Sequence, residues 1–366
     1  MQYREYGSTG EQVSMIGLGG MRFPDIDNED ACIELVLAAF DAGVNYFDTA
    51  PGYCRDLSEV RIGQAVREIK RRGGKFHVSS KSWKAAGDDL RRDLEQSLQR
   101  LNVEQIDFYH CWCVNSWEEW ERRKAGGAVD ELVRIREEGL ARHISVSSHM
   151  SGEEIGRMLA ESPFEGVLLG YSAINAPFRR TGIAAAREQG RGVAIMNPLG
   201  GGLIPDHPDR LGFIRRPGDP SLVHSALRYV LSTPGVTLAL VGMDSPEHAR
   251  EAAAVADDFA ALTAAEMEEV GRDVEKEFDS LCTLCRYCDE CPNDIPVHKY
   301  MSAFNYSVLE NEAAMKNFLK NHWGLAKEAP GVAEACAECG KCEQLCTQHL
   351  PIIERLREIA GAYGKN

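Results

Sequence analysis

The sequence predicts an α/β chain built as a closed parallel (β/α)8 TIM barrel, followed by a smaller α-helical domain. Three observations carry that expectation. Short β-rich runs alternate with helical stretches eight times from residue 12 onward. The glycine fingerprint GxGxxG that usually opens a doubly wound sheet is missing, because the first run ends in "GLGGM". The alternation stops near residue 265, and eight of the twelve cysteines crowd into residues 282 to 346. The chain of 366 residues has room for a barrel of roughly 250 residues plus a second unit. The expected division is residues 1–265 and 266–366.

In chain order, "YREYGSTGEQVS" places turn residues between short extended pieces and predicts a hairpin ahead of the barrel. The eight runs are "MIGLG" (15 to 19), "NYFDTA" (45 to 50), "FHVSSK" (76 to 81), "IDFYHCW" (106 to 112), "HISVSS" (143 to 148), "GVLLGYS" (166 to 172), "GVAIMNP" (192 to 198) and "TLALVGM" (237 to 243). Between and after them, segments such as "ACIELVLAAFDAG", "LSEVRIGQAVREIKRR", "DLRRDLEQSLQRLN" and "SLVHSALRYVLST" repeat apolar residues at helical spacing. Within "QIDFYHCWCVN", alternation puts His110 and Trp112 on one face and Tyr109, Cys111 and Cys113 on the other. There the cysteines are expected to pack as small apolar side chains.

Composition narrows the function. With 44% hydrophobic and 27% charged residues the chain can build a full core. A net charge of -15 argues against nucleic acid or an anionic membrane as partner, and no window reaches the apolar length of a membrane span. A start without an apolar leader core points to a cytoplasmic protein.

The tail holds "CTLCRYCDECP" (Cys282, Cys285, Cys288, Cys291) and "CAECGKCEQLC" (Cys336, Cys339, Cys342, Cys346). A CxxCxxC run wraps three thiolates round one face of a cubane and takes its fourth ligand from elsewhere, so two runs imply two [4Fe-4S] clusters. In two-cluster ferredoxins the last cysteine of each run crosses over. That pattern groups Cys346 with Cys282, Cys285 and Cys288, and Cys291 with Cys336, Cys339 and Cys342. Paired zinc sites are the alternative, but zinc favours CxxC pairs over CxxCxxC triplets. Only two residues separate Cys291 from Cys288, and Thr347 stands where proline often follows such a run.

Strand ends of a barrel carry its chemistry. Those positions hold Asp48 and Tyr53 in "FDTAPGYC", Lys81 in "VSSK", and His110 or Trp112. From about residue 3 to 260, "GLGGMRF", "FDTAPGY", "SSK", "IDFYH", "SVSSH", "NPLGGG" and "VGMDSPEHAREA" together resemble the aldo-keto reductases. The tail resembles the ferredoxin-like domain attached to one branch of that family. The resemblance implies carbonyl reduction or alcohol oxidation on a small molecule, with Tyr53 as proton donor or acceptor. A free tyrosine titrates near ~10, and an adjacent Lys81 ammonium, held by Asp48, is expected to lower it.

The resemblance also implies a nicotinamide site. It places Gly20 and Met21 at the first strand end, Ser147 and Ser148 at the carboxamide, and Tyr171 against the ring. Asn197, Pro198, Leu199, Gly200 and Gly202, then Gly242, Met243, Asp244 and His248, fall at the pyrophosphate and adenosine end, where a helix N-terminus suits an anion. Family members that use NADPH grip its 2'-phosphate with a lysine and an arginine. Here Gly242 and His248 stand at those places beside Asp244, which favours NAD(H) over NADP(H). Leu168 replaces the glutamine that helps hold the carboxamide, and the family's histidine position is Trp112, with His110 two residues deeper.

Hydride chemistry moves electrons in pairs and clusters move them singly. Three readings follow. The first is an NAD(H) oxidoreductase whose clusters are structural or dock a partner. The second is a reductase fed by a ferredoxin-like redox protein, and the third is a non-catalytic electron-transfer module. The loop "LIPDHPDRLGFIRRPGDPS" and "NSWEEWERR" are expected at the pocket mouth, with Arg215 or Arg216 available to an acidic substrate.

Overall fold

The computed structural model describes the chain except residues 278–280, 283–285, 347 and 365–366. Two short strands, β1 (Tyr3–Glu5) and β2 (Gln12–Ser14), form an antiparallel hairpin. Eight strands follow: β3 (Ile16–Gly19), β4 (Tyr46–Asp48), β5 (His77–Ser82), β6 (Ile106–Val114), β7 (Ala141–Ser148), β8 (Gly166–Gly170), β9 (Gly192–Met196) and β10 (Leu238–Val241). They pair in parallel and in sequence order, and β10 closes onto β3 to complete the barrel. All eight predicted runs are barrel strands. Their apolar character follows from burial on both faces, which parallel strands between helices require.

Side-chain parity sorts each strand into two layers. Phe47, Val78, Tyr109, Ile144, Val167 and Ile195 face the helices and belong to the large outer core. Tyr6, Tyr46, Phe108, Leu168 and Leu240 fill the barrel interior. Tyr6, just past the first hairpin strand, is the plug. Its ring lies 4.5 Å from that of Phe108, and Gly166 and Gly192 lack the Cβ that would strike it at 2.4 and 2.2 Å. The hairpin therefore closes the N-terminal end and leaves the C-terminal end for chemistry.

One expectation about β6 fails. Its pairing with β7 slips between Cys111 and Val114, and Cys113 takes a left-handed φ of 63°. A bulge adds a residue and re-aims the next side chain. Cys111 packs in the outer core as expected, but Cys113 is half-buried near Tyr53 and donates to Asn115 Oδ1 at 3.4 Å.

Beyond the barrel the chain is helical, with Ala264–Glu277, Val297–Leu309, Glu312–Asn321 and Ile352–Gly364 as its longer helices. Tyr300, Met301, Leu319, Leu356 and Ile359 build a separate apolar core that also contains the cysteines Cys282, Cys288 and Cys346. Among the described residues no helix is long and apolar enough to cross a membrane.

Candidate active site and iron-sulfur sites

Asp48 ends β4 and Lys81 lies on the adjacent β5, where Asp48 stands opposite Ser79. That register places the Lys81 ammonium 2.6 and 2.8 Å from the two Asp48 oxygens, and Ser79 Oγ donates to the same carboxylate at 2.6 Å. Both charges are buried. Burial draws Lys81 below its ordinary value while Asp48 opposes that shift.

Tyr53 sits on the loop after β4, half-buried, with its ring centroid 5.4 Å from the ammonium. Its hydroxyl makes no hydrogen bond among the described residues. Burial, then the charge of Asp48, push the phenol well above the ordinary tyrosine value. The expected lowering by Lys81 is therefore reversed, because burial of the phenol dominates its environment. The loop is held under backbone strain: Cys54, Arg55 and Asp56 all have φ between 50° and 68°. Asp56 anchors it by accepting from Gly52 N at 2.9 Å and from Arg100 at 2.7 and 2.6 Å.

His110 pairs in register with Lys81 and is fully buried. Neither ring nitrogen makes a hydrogen bond among the described residues, although the backbone at Val146 lies close to the ring. Burial and the neighbouring Lys81 hold it neutral. Trp112, one layer nearer the rim, meets the Tyr53 ring edge-on at 5.6 Å and stacks on Trp83 at 4.9 Å. Trp83 is 51% exposed and was not among the expected site residues. Its signal was a tryptophan two residues past Lys81, at a strand end.

The expected nucleotide segments reach the same rim in different states. Gly20 is buried, donates to Asp48 O at 2.8 Å and has no room for a Cβ, while Met21 is exposed. Ser147 points into the barrel, but the Ser148 hydroxyl donates to Val114 O at 2.9 Å. Tyr171 departs from expectation. It faces the outer layer, fully buried, stacked 6.2 Å from Tyr229 and hydrogen-bonded to Thr233, so its ring face is not offered to the barrel. Asn197 (φ 54°) and Gly200, Gly201 and Gly202 (φ 64°, 74° and 106°) form a left-handed run after β9, with Pro198 and Leu199 inside it. Gly242 is exposed and covered by the side-chain carbons of Arg22, beside buried Met243. Asp244 pairs with His248 on the first turn of helix Pro246–Ala254. Arg215 and Arg216 are engaged by Asp219 O at 3.3 Å and Glu269 at 3.2 Å, which leaves neither aimed at a pocket.

Cys291, Cys336, Cys339 and Cys342 line one small pocket floored by Ile295 and Leu356. No three His, Cys, Asp or Glu side chains among the described residues close on one point as ligands of a single ion would. Four thiolates standing round a pocket instead suit a cubane with an iron at each corner. Cys282, Cys288 and Cys346 are buried in the adjoining apolar core. Cys285 and Thr347 lie outside the described residues.

This helical region sits on the C-terminal rim of the barrel. His149, after β7, stacks on Tyr287 at 4.6 Å, and Asn175, after β8, donates to Gln348 at 3.2 Å. His207, after β9, meets Tyr306 at 5.3 Å, and Arg210 bonds the backbone of Val308 and Leu309.

A plugged parallel barrel with a buried Asp–Lys pair beside a rim tyrosine, roofed by a cysteine-bearing helical segment, defines a barrel oxidoreductase with an iron-sulfur domain. The chain belongs to the aldo/keto reductase family, whose profile matches residues 15–272, and a 4Fe-4S dicluster domain matches residues 281–350. It is 24% identical over 312 residues to L-galactose dehydrogenase of Arabidopsis thaliana, covering 75% of this chain and 92% of that one. It is 29% identical over 211 residues to the probable aldo-keto reductase 1 of Glycine max, covering 54% and 59%. In fold it resembles an aldo-keto reductase of Bacillus halodurans in its holo form (TM-score 0.64, 20% identity, 75% of this chain and 96% of that one). An aldo-keto reductase of Klebsiella pneumoniae in complex with NADPH is similarly related (TM-score 0.63, 22% identity, 74% and 94%).

Proposed function

We propose that the barrel reduces a small carbonyl compound to its alcohol at the rim between Tyr53, Trp112 and Trp83. The supporting observation is the buried Lys81–Asp48 pair beside a half-buried tyrosine at the C-terminal strand ends. A bound nicotinamide would supply the hydride. Tyr53 is the proton donor. Its phenol stays protonated well above neutral pH, so the form that can give a proton to the carbonyl oxygen is the one present at neutral pH. Lys81 keeps positive charge near the developing alkoxide, and Asp48 fixes that charge in place. His110, neutral and one layer deeper than Trp112, stands in register beside Lys81.

For the nucleotide, Gly20, Met21, Ser147, the turn Asn197–Gly202 and the segment from Gly242 to His248 are the proposed contacts. Asp244 at the adenosine end favours NAD(H), since a carboxylate repels a 2'-phosphate. Arg22 over Gly242 offers a cation at the same rim, so the discrimination is expected to be modest. The Klebsiella relative is described with NADPH, which makes NADP(H) the nucleotide to test against. The proposed ligand sets are Cys282, Cys285, Cys288 and Cys346 for one [4Fe-4S] cluster, and Cys291, Cys336, Cys339 and Cys342 for the other. The proposed division of the chain is residues 1–265 and 266–366.

Titrating anaerobically purified protein with NADH and NADPH, and assaying aldehydes and ketones with each, tests this reading. Binding of NADH with turnover that Tyr53→Phe abolishes is the expected result. Failure of both nucleotides to bind would overturn it.

A further inference from the structure

The roofing contacts connect the two cysteine sites to the barrel unequally. Cys282, Cys288 and Cys346 are each only 7 to 8% exposed. At the other pocket Cys339 is exposed. Tyr287, next in sequence to Cys288, has its ring 4.6 Å from that of His149. His149 is 5% exposed, its Nε2 has no hydrogen-bond partner among the described residues, and its backbone N–H donates to Val114 O at 3.2 Å. Val114 ends the strand that carries Trp112, and Trp112 touches Tyr53 edge-on at 5.6 Å. Covalent bonds, one hydrogen bond and two ring contacts thus run without a gap from a cysteine of the buried site to the reacting tyrosine.

We propose that Tyr287 and His149 are the electronic contact between the iron-sulfur segment and the barrel. Through it, a ferredoxin-class carrier docking at the exposed cysteine pocket can reduce a carbonyl held against Trp112 and Tyr53. Two reduced carriers each give up one electron. The C=O π bond breaks as those two electrons are taken up. Tyr53 gives a proton to oxygen, water gives a proton to carbon, and Tyr53 recovers its proton from solvent. The inference rests on the proposed role of Tyr53 and not on the nicotinamide.

The test uses full-length protein prepared without oxygen, with iron counted and the clusters reduced by dithionite-reduced methyl viologen. Phenanthrenequinone, a flat aromatic dicarbonyl, is the probe; it takes two electrons and a proton on each oxygen, one from Tyr53 and one from water, and cluster reoxidation is followed by absorbance and by EPR of freeze-quenched samples. At equal iron content and equal spin count, Tyr287→Leu and His149→Leu should each slow reoxidation by an order of magnitude or more. If Tyr287→Leu, beside a cysteine, fails to load iron, His149→Leu on the barrel side decides alone. A fully loaded variant that reoxidises at the wild-type rate overturns the proposal. Turnover with NADH or NADPH while reoxidation ignores both substitutions sinks this inference and leaves the proposed function standing. Reoxidation that depends on both residues, in a protein that uses neither nucleotide, does the reverse.

Discussion

At Tyr53 burial sets the protonation state from which the proposed chemistry starts. Burial, then the charge of Asp48, keep the proton on the phenol far into alkaline pH, and the protonated form is the one the proposed reduction needs. Carbonyl reduction should therefore hold level through neutral pH and fall only as the pH rises past the ordinary tyrosine value of 10.0, which a pH–rate profile would show. Tyr53→Phe should lower kcat by ~100- to 10,000-fold with KM little changed, since its contribution is a proton delivered during the reaction. Asp48→Asn leaves the buried Lys81 ammonium unpaired and should cost about 3–5 kcal/mol, read as a shift in denaturant midpoint. Asp48, Tyr53 and Lys81 were legible in the sequence because each stands in a short motif at a strand end. The direction of the tyrosine shift was not, since it comes first from burial of the phenol, which no short motif shows.

Among the elements, the eight strands were readable because parallel strands covered on both faces become continuous apolar runs. The β6 bulge was not. "HCWCV" alternates as an unbroken strand would, and only the slipped pairing with β7 turns Cys113 toward the site. The loop after β4 is similar: nothing in "GYCRD" announces three consecutive left-handed residues without glycine at any of them. Asp56 holds that strained shape through Gly52 and Arg100, so Asp56→Ala should remove about 0.5–1 kcal/mol of local support, since the pair is partly exposed. The expected signature is a fall in kcat larger than the change in KM, with Tm lowered slightly, because Tyr53 is presented less accurately. Helix packing supplies a sharper test. A Cβ at Gly63 would lie 2.2 Å from Arg100 O, between two helices joined backbone to backbone. Gly63→Ala should therefore destabilise by about 1–3 kcal/mol in urea while leaving the site chemistry unchanged.

At the scale of the whole molecule, the sequence showed two units but not that one roofs the other. The contacts that join them, such as His149 with Tyr287 and His207 with Tyr306, are single pairs far apart in the chain that no periodicity marks. Their burial has a consequence for acid stability. Burial, then the charge of Arg179, bring His149 down from 6.5 to about 3, and His110 and His349 are lowered as well. A histidine with a depressed folded-state value is kept neutral by the fold, whereas the unfolded chain accepts a proton below 6.5. The unfolded state then binds more protons, and stability that is complete above pH 6.5 drains away as the pH falls toward about 3. Melting curves across that window should show the loss, and His149→Leu should flatten part of it. Iron removal separates the units in another way. The small helical core encloses Cys282, Cys288 and Cys346, so much of its folding free energy is expected to come from thiolate–iron bonds. The barrel is closed and plugged without them. A chelator-treated protein should therefore lose the melting transition of the helical roof while keeping that of the barrel. One unchanged transition would mean that the roof is held by its contacts with the rim rather than by metal.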